Sequence, residues 1–151
     1  MDKTHHLSSP MVIQSLDVKK GLFHHCKKNE ELLDPEVPYL SVIDVLMYLV
    51  NCTHLNIAFS VNLLARYSST STRRHWNGIK HILYYFCGTT DMGLFYSREL
   101  KQQLFGYADA EYLSDLHKSR SQTGYEFNYN GSAISWISVK QTMVVTSSNN
   151  S

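Results

Sequence analysis

The chain has 151 residues, 43% of them apolar, and a formal charge of +1. That length suits one domain or two small lobes, and the near-neutral charge excludes a global basic field, so any nucleic-acid contact must come from local clusters. Three well-separated cysteines, Cys26, Cys52 and Cys87, give no sign of a disulfide framework, which points to a reducing compartment. The opening MDKTHHLSSPM has no apolar stretch of the kind a signal peptide carries, and no apolar run approaches the roughly 20 residues that cross a bilayer. The expectation is a protein of the cytoplasm or nucleus, neither secreted nor membrane-bound.

Residues 1–38 hold all three prolines and little periodicity, and are read as an irregular region. His24-His25-Cys26 contains metal-ligand types, but adjacent side chains diverge and seldom converge on one ion, so a solvated loop is favoured. From Tyr39 the pattern becomes helical. YLSVIDVLMYLVN is apolar on most faces and predicts a central, buried helix, inside which Asp44 would be a burden. In NIAFSVNLLARYSS, Ile57, Val61, Leu64 and Ala65 form the stripe of a second helix, with Thr53 as its N-cap. A third helix starts at a Ser71 or Thr72 cap and stops at Gly88, with Trp76, Ile79, Leu83 and Phe86 facing inward. Arg73, Arg74 and Lys80 lie on it, with aromatic residues nearby. Such a helix can follow a phosphate backbone, or can simply be a solvated face.

After Gly93 the period drops to two. GLFYS reads as a short strand, and QLFGYADAEYL, TGYEFNYN and AISWISVKQ as three more, with Asn130-Gly131 as a hairpin turn. Strands without crossover helices predict an antiparallel meander, and helices followed by strands predict an α+β fold with a boundary near Ser97 to Leu100. The lobes are then 39–97 and 98–151. Asp109 and Glu111 are two residues apart and share a face if the strand is regular. With Asp115 they have the chemistry of a divalent-cation site, which uses hard oxygen ligands, or equally of a polar strand edge.

Taken together, these strings resemble one family. VPYLSVIDVLMYLVNCTHLNIAFSVNLLARYSSTSTRRHWNGIKHILYYFCGTTDMGLFYS resembles the segment after the polymerase palm in copia-type long-terminal-repeat retrotransposon polyproteins of plants. GYADAEYLSD, SRSQTGYEF, AISWISVKQ and TSSNN are similar to the start of their ribonuclease H domain, where the pattern runs roughly GYSDADWAGD, RSTSGYVF, ISWSSKKQ, LSSTEAEY. The resemblance implies a truncated Pol polyprotein remnant. Its helical lobe corresponds to the reverse transcriptase thumb or connection, and its strand lobe to the first three strands of a ribonuclease H fold.

By the family pattern Asp109 is the first catalytic aspartate, a ligand to magnesium in the parent family. The next catalytic carboxylate falls in AEY, where this sequence reads SSNNS, with Asn150 in place of the earlier glutamate. No Tyr-x-Asp-Asp polymerase motif occurs. The site around Asp109 is therefore expected to be vestigial, with no cofactor held and no catalysis. Other departures agree. The family's TRPD is Thr53-His54-Leu55-Asn56, and YYFCGT replaces RYLKGT, so Tyr84 and Cys87 stand where two basic residues would be. Two further roles stay open: a weak module for RNA–DNA hybrid or DNA held by Arg73, Arg74 and Lys80, or a partner of an intact Pol chain that completes an unfinished sheet.

Overall fold

The computed structural model describes residues 7–11, 30–98, 103–115 and 120–140, with backbone only at 109–115 and 120–122. The fold is α+β, three helices followed by a three-stranded antiparallel sheet. The chain divides into two compact units, Met1–Gly93 and Leu94–Ser151.

In the first unit α1 spans Tyr39–Cys52, a single 3-10 turn spans Leu55–Ile57, α2 spans Ala58–Ala65 and α3 spans Arg73–Gly88. The central helix is α2, not α1. Ala58, Ser60, Val61, Leu63 and Leu64 are buried, no residue of α2 is exposed, and both other helices pack on it. By contrast α1 buries one face only, Tyr39, Ile43, Leu46 and Val50 at spacings of four, three and four. Leu40, Val45 and Tyr48 are exposed, and so is Asp44. The burden expected at Asp44 is therefore absent: its carboxylate sits in water.

Two capping expectations resolve differently. Thr53 ends α1, its backbone N–H returning to the Leu49 carbonyl at 2.9 Å, and does not open α2. Thr72 does open α3. Its backbone N–H donates to Nδ1 of His75 at 3.1 Å while its side chain receives the backbone N–H of His75, closing a reciprocal capping box. The inner face of α3 is His75, Gly78, Ile79, Ile82 and Tyr85. That is a register turned from the expected one: Trp76 and Phe86 are half-buried at its flanks and Leu83 is exposed. Thr89, not Gly88, is the C-cap, and its hydroxyl donates to the Tyr85 carbonyl at 3.1 Å.

Polar ties fix this core at its rim. The Tyr39 hydroxyl donates to the Leu64 carbonyl at 2.9 Å, and the Asn56 amide donates to the Tyr85 hydroxyl at 2.9 Å. Tyr67 stacks on His75 with ring centroids 4.1 Å apart. Ahead of α1, the segment at Leu32 bridges to Thr72, and Leu33 N–H donates to the Ser71 carbonyl, so the loop start of α3 is held from both sides. No helix among the described residues is long and apolar enough to cross a membrane.

In the second unit β1 spans Leu104–Asp115, β2 Arg120–Tyr129 and β3 Ser132–Lys140, in that spatial order. Asn130 (φ 50°) and Gly131 (φ 82°) both take positive φ, the pair of values a two-residue type I′ hairpin demands and glycine tolerates best. GLFYS is not a strand. Its residues tie to the hairpin by side-chain bonds instead: the Ser132 hydroxyl donates to the Phe95 carbonyl, and the Tyr96 hydroxyl donates to the Ala133 carbonyl at 2.9 Å. That attachment explains why the boundary falls at Gly93/Leu94, a few residues before the expected one. His24-His25-Cys26 and the SSNNS segment lie outside the described residues.

Candidate nucleic-acid interface

The exposed side of α3 carries one stripe, with Leu83 exposed at its flank. Arg73, Asn77, Lys80, Tyr84 and Cys87 recur at alternating steps of four and three, which stacks them along one face. Two cations and a 69% exposed tyrosine ring therefore share a line about three turns long. The geometry suits a backbone of phosphates running along the helix, with an aromatic face at its far end.

Arg74 is placed elsewhere. One residue on from Arg73 turns the side chain by about 100°, and its guanidinium lies 3.0 Å from the Glu30 carboxylate. Both partners are largely covered, with side chains 16% and 24% exposed. The three cations grouped in sequence thus divide into two on the open stripe and one tying residue 30 to α3. Nor is Arg73 in a purely positive setting, because Glu31 and Asp34 line the same groove. His81, at the stripe's flank, sits with Nε2 3.0 Å from the Ser9 carbonyl, a contact in which the ring nitrogen must donate.

The second candidate lies on the sheet. The register sets Asp109 opposite Gly124 and Glu111 opposite Gln122, so both belong to one face as their spacing requires. Asp115 falls beyond a register shift, opposite Arg120. Tyr107 is opposite Glu126, which puts Glu126 on the same face as Asp109 and one pairing step away. Sequence reasoning missed Glu126; only the register between β1 and β2 brings it there. Lys140, opposite Gln122, adds a positive charge to that face.

Magnesium needs oxygens at about 2.0–2.1 Å in near-octahedral geometry. A two-metal site must anchor both ions from more than one direction. Positions two apart on a strand are roughly 6.6 Å apart. That is the interval between Asp109 and Glu111 along β1. Among the described residues no group of three or more His, Cys, Asp or Glu could hold a metal.

No protein-family model matches the chain, and no solved structure does. Curated proteins do. The chain is 38% identical over 112 residues to secreted RxLR effector protein 161 of Plasmopara viticola, covering 74% of this chain and 79% of that protein. It is also 38% identical over 112 residues to the retrovirus-related Pol polyprotein from transposon TNT 1-94 of Nicotiana tabacum. With the Pol polyprotein from transposon RE2 of Arabidopsis thaliana it shares 36% identity over 118 residues, 78% of this chain. The chain spans about 8% of the length of each of these two polyproteins.

Proposed function

We propose that this chain, related over 112–118 residues to retrotransposon Pol polyproteins, is a copia-type Pol remnant with no catalytic activity of its own. In this reading the helical unit is equivalent to the reverse transcriptase thumb or connection, and the sheet unit to the opening strands of ribonuclease H. Its place of action is the cytoplasm or nucleus.

The observation that carries the reading is the reach of the Pol match. An alignment of 118 residues is longer than the 93 residues from Met1 to Gly93, so it takes in parts of both units. The absence of a Tyr-x-Asp-Asp motif from the sequence supports a chain without polymerase chemistry.

What remains is a weak grip on an RNA–DNA hybrid through Arg73 and Lys80, electrostatic in origin. A second reading is partnership with an intact Pol chain. It is favoured by the outer edge of β1, which pairs with no strand among the described residues. Incubation of the purified chain with a labelled hybrid in magnesium tests the first reading: salt-sensitive binding without cleavage is expected. Cleavage that disappears in Asp109→Asn would make the chain an enzyme. Recovery of a full-length Pol chain in place of hybrid would favour the second reading.

A further inference from the structure

The sheet sorts its residues by charge. In the continuous register from Leu104 to Glu111, the face that carries Asp109, Glu111, Glu126 and Lys140 holds every charged residue of the paired strands. The opposite face holds none. There the register groups Leu104 with Tyr125, Phe127, Tyr129, Ile137 and Val139, and the remaining positions are Gly, Ala, Ser or Thr. Tyr125 and Phe127 touch, with ring centroids 5.5 Å apart. Gly106 leaves room for the Phe127 ring, since a Cβ on Gly106 would stand 2.7 Å from it.

This uncharged face is open. Leu104 is 61% exposed, and the other five side chains lie between 37% and 41%. A whole aromatic side chain offers about 150–250 Å², so the six leave on the order of 500 Å² in water. Two such faces brought together would remove on the order of 1,000 Å², the size at which a specific protein interface becomes stable.

We propose that this face is the interface between two copies of the chain, packed sheet on sheet. The occupant follows from the chemistry of the face. With no cation it offers nothing to a phosphate backbone. With no charge of either sign it does not repel its own twofold mate, which an isologous contact requires. Its width of three strands suits the face-to-face packing that sheets adopt at about 10 Å, with one register shift between Phe127 and Asn128.

The test is sedimentation velocity of the full chain from about 1 to about 100 μM, a range that spans micromolar dissociation constants. A monomer–dimer equilibrium is expected. Ile137→Lys and, separately, Tyr125→Lys should each weaken it at least tenfold while keeping the far-ultraviolet circular dichroism of the parent. Lys140→Ala, on the charged face, should leave it unchanged. The unaltered chain also decides the matter by itself. Its Leu104, Ile137 and Val139 methyl resonances should shift with concentration while those of Leu46 and Ile79 stay fixed. A chain that is monomeric throughout, a dimer that survives both lysine variants, or methyl shifts confined to the helical unit would overturn the proposal.

Discussion

The backbone N–H of Thr72 donates to Nδ1 of His75 at 3.1 Å, and both residues are fully buried. This pair starts α3 and fixes which of its faces turns inward. The imidazole also stacks on Tyr67, so its loss removes a cap and leaves a void together. Thr72→Ala is expected to cost about 1 kcal/mol, the usual value of an N-cap. His75→Ala should cost more, roughly 2–4 kcal/mol, because a buried side chain is lost as well. His75→Gln should recover part of that loss, since glutamine at the third position also completes a capping box. Urea denaturation followed by circular dichroism ranks the three. Equal losses for His75→Ala and His75→Gln would show that the capping bond contributes nothing.

Asp44 tests how α1 is packed. On the apolar pattern alone the carboxylate would be buried, and its replacement by glycine would raise stability by roughly 1 kcal/mol or more. The structure puts it in water, on the side of α1 opposite Ile43 and Leu46. The expected effect of Asp44→Gly is then a loss of a few tenths of a kcal/mol, from glycine's poorer helix propensity. A gain of about 1 kcal/mol in the denaturation free energy would mean that α1 is enclosed after all.

These corrections share a cause. The three paired strands were legible because alternation and the Asn130-Gly131 turn are local signals, although GLFYS reads as a fourth and is not one, and Thr72 was legible as a cap for the same reason. The inner faces of the helices were not. α1 has more apolar residues than its one buried face can use, so Leu40, Val45 and Tyr48 look like core in sequence although they are exposed. α2 reads as an ordinary amphipathic helix, yet its place between two others buries even Ser60. Long-range pairings leave no local trace at all. Arg74 meets Glu30 across 44 residues of sequence, and Glu126 nears Asp109 only through the register. The candidate site was therefore half visible: the acids of β1 and the cations of α3 could be named, but not which of them share a surface.

Tyr39 gives the helical unit an alkaline limit. Burial raises its hydroxyl pKa well above the ordinary value of 10.0, and nearby Tyr67 adds to the rise. In the unfolded chain the group ionises near 10, while in the fold it keeps its proton to higher pH. Above pH 10 the unfolded state thus binds fewer protons, and stability falls as pH rises; below pH 10 the group adds no slope. At neutral pH Tyr39→Phe should cost about 1 kcal/mol, because the Leu64 carbonyl loses its donor. The difference between parent and variant should shrink above pH 10. A gap that stays constant across that range would place the Tyr39 hydroxyl in contact with solvent.

The division among the three cations of α3 can be measured directly. Arg73 and Lys80 face solvent on one stripe, whereas the guanidinium of Arg74 is engaged with Glu30 at 3.0 Å. Each free cation that neutralises a phosphate releases counterions and adds about 0.9 to the slope of log affinity against log salt. Two contacts therefore predict a slope near −2 for an RNA–DNA hybrid, shallow for a nucleic-acid-binding protein. Arg73→Ala and Lys80→Ala should each reduce it by about 1. Glu31 and Asp34 beside Arg73 offset part of its field, so Lys80→Ala should weaken binding at least as much as Arg73→Ala. Arg74→Ala should behave differently. Its partly covered pair with Glu30 is worth up to about 1 kcal/mol of folding stability, so the variant should unfold earlier while keeping the parent's salt slope. Fluorescence anisotropy with a labelled hybrid, titrated at several salt concentrations, reads the slopes, and denaturation of the same samples reads the stabilities. If Arg74→Ala lost a unit of slope with no loss of stability, the phosphate contacts would run along the other side of α3, and the stripe of Arg73, Lys80 and Tyr84 would be an ordinary solvated face.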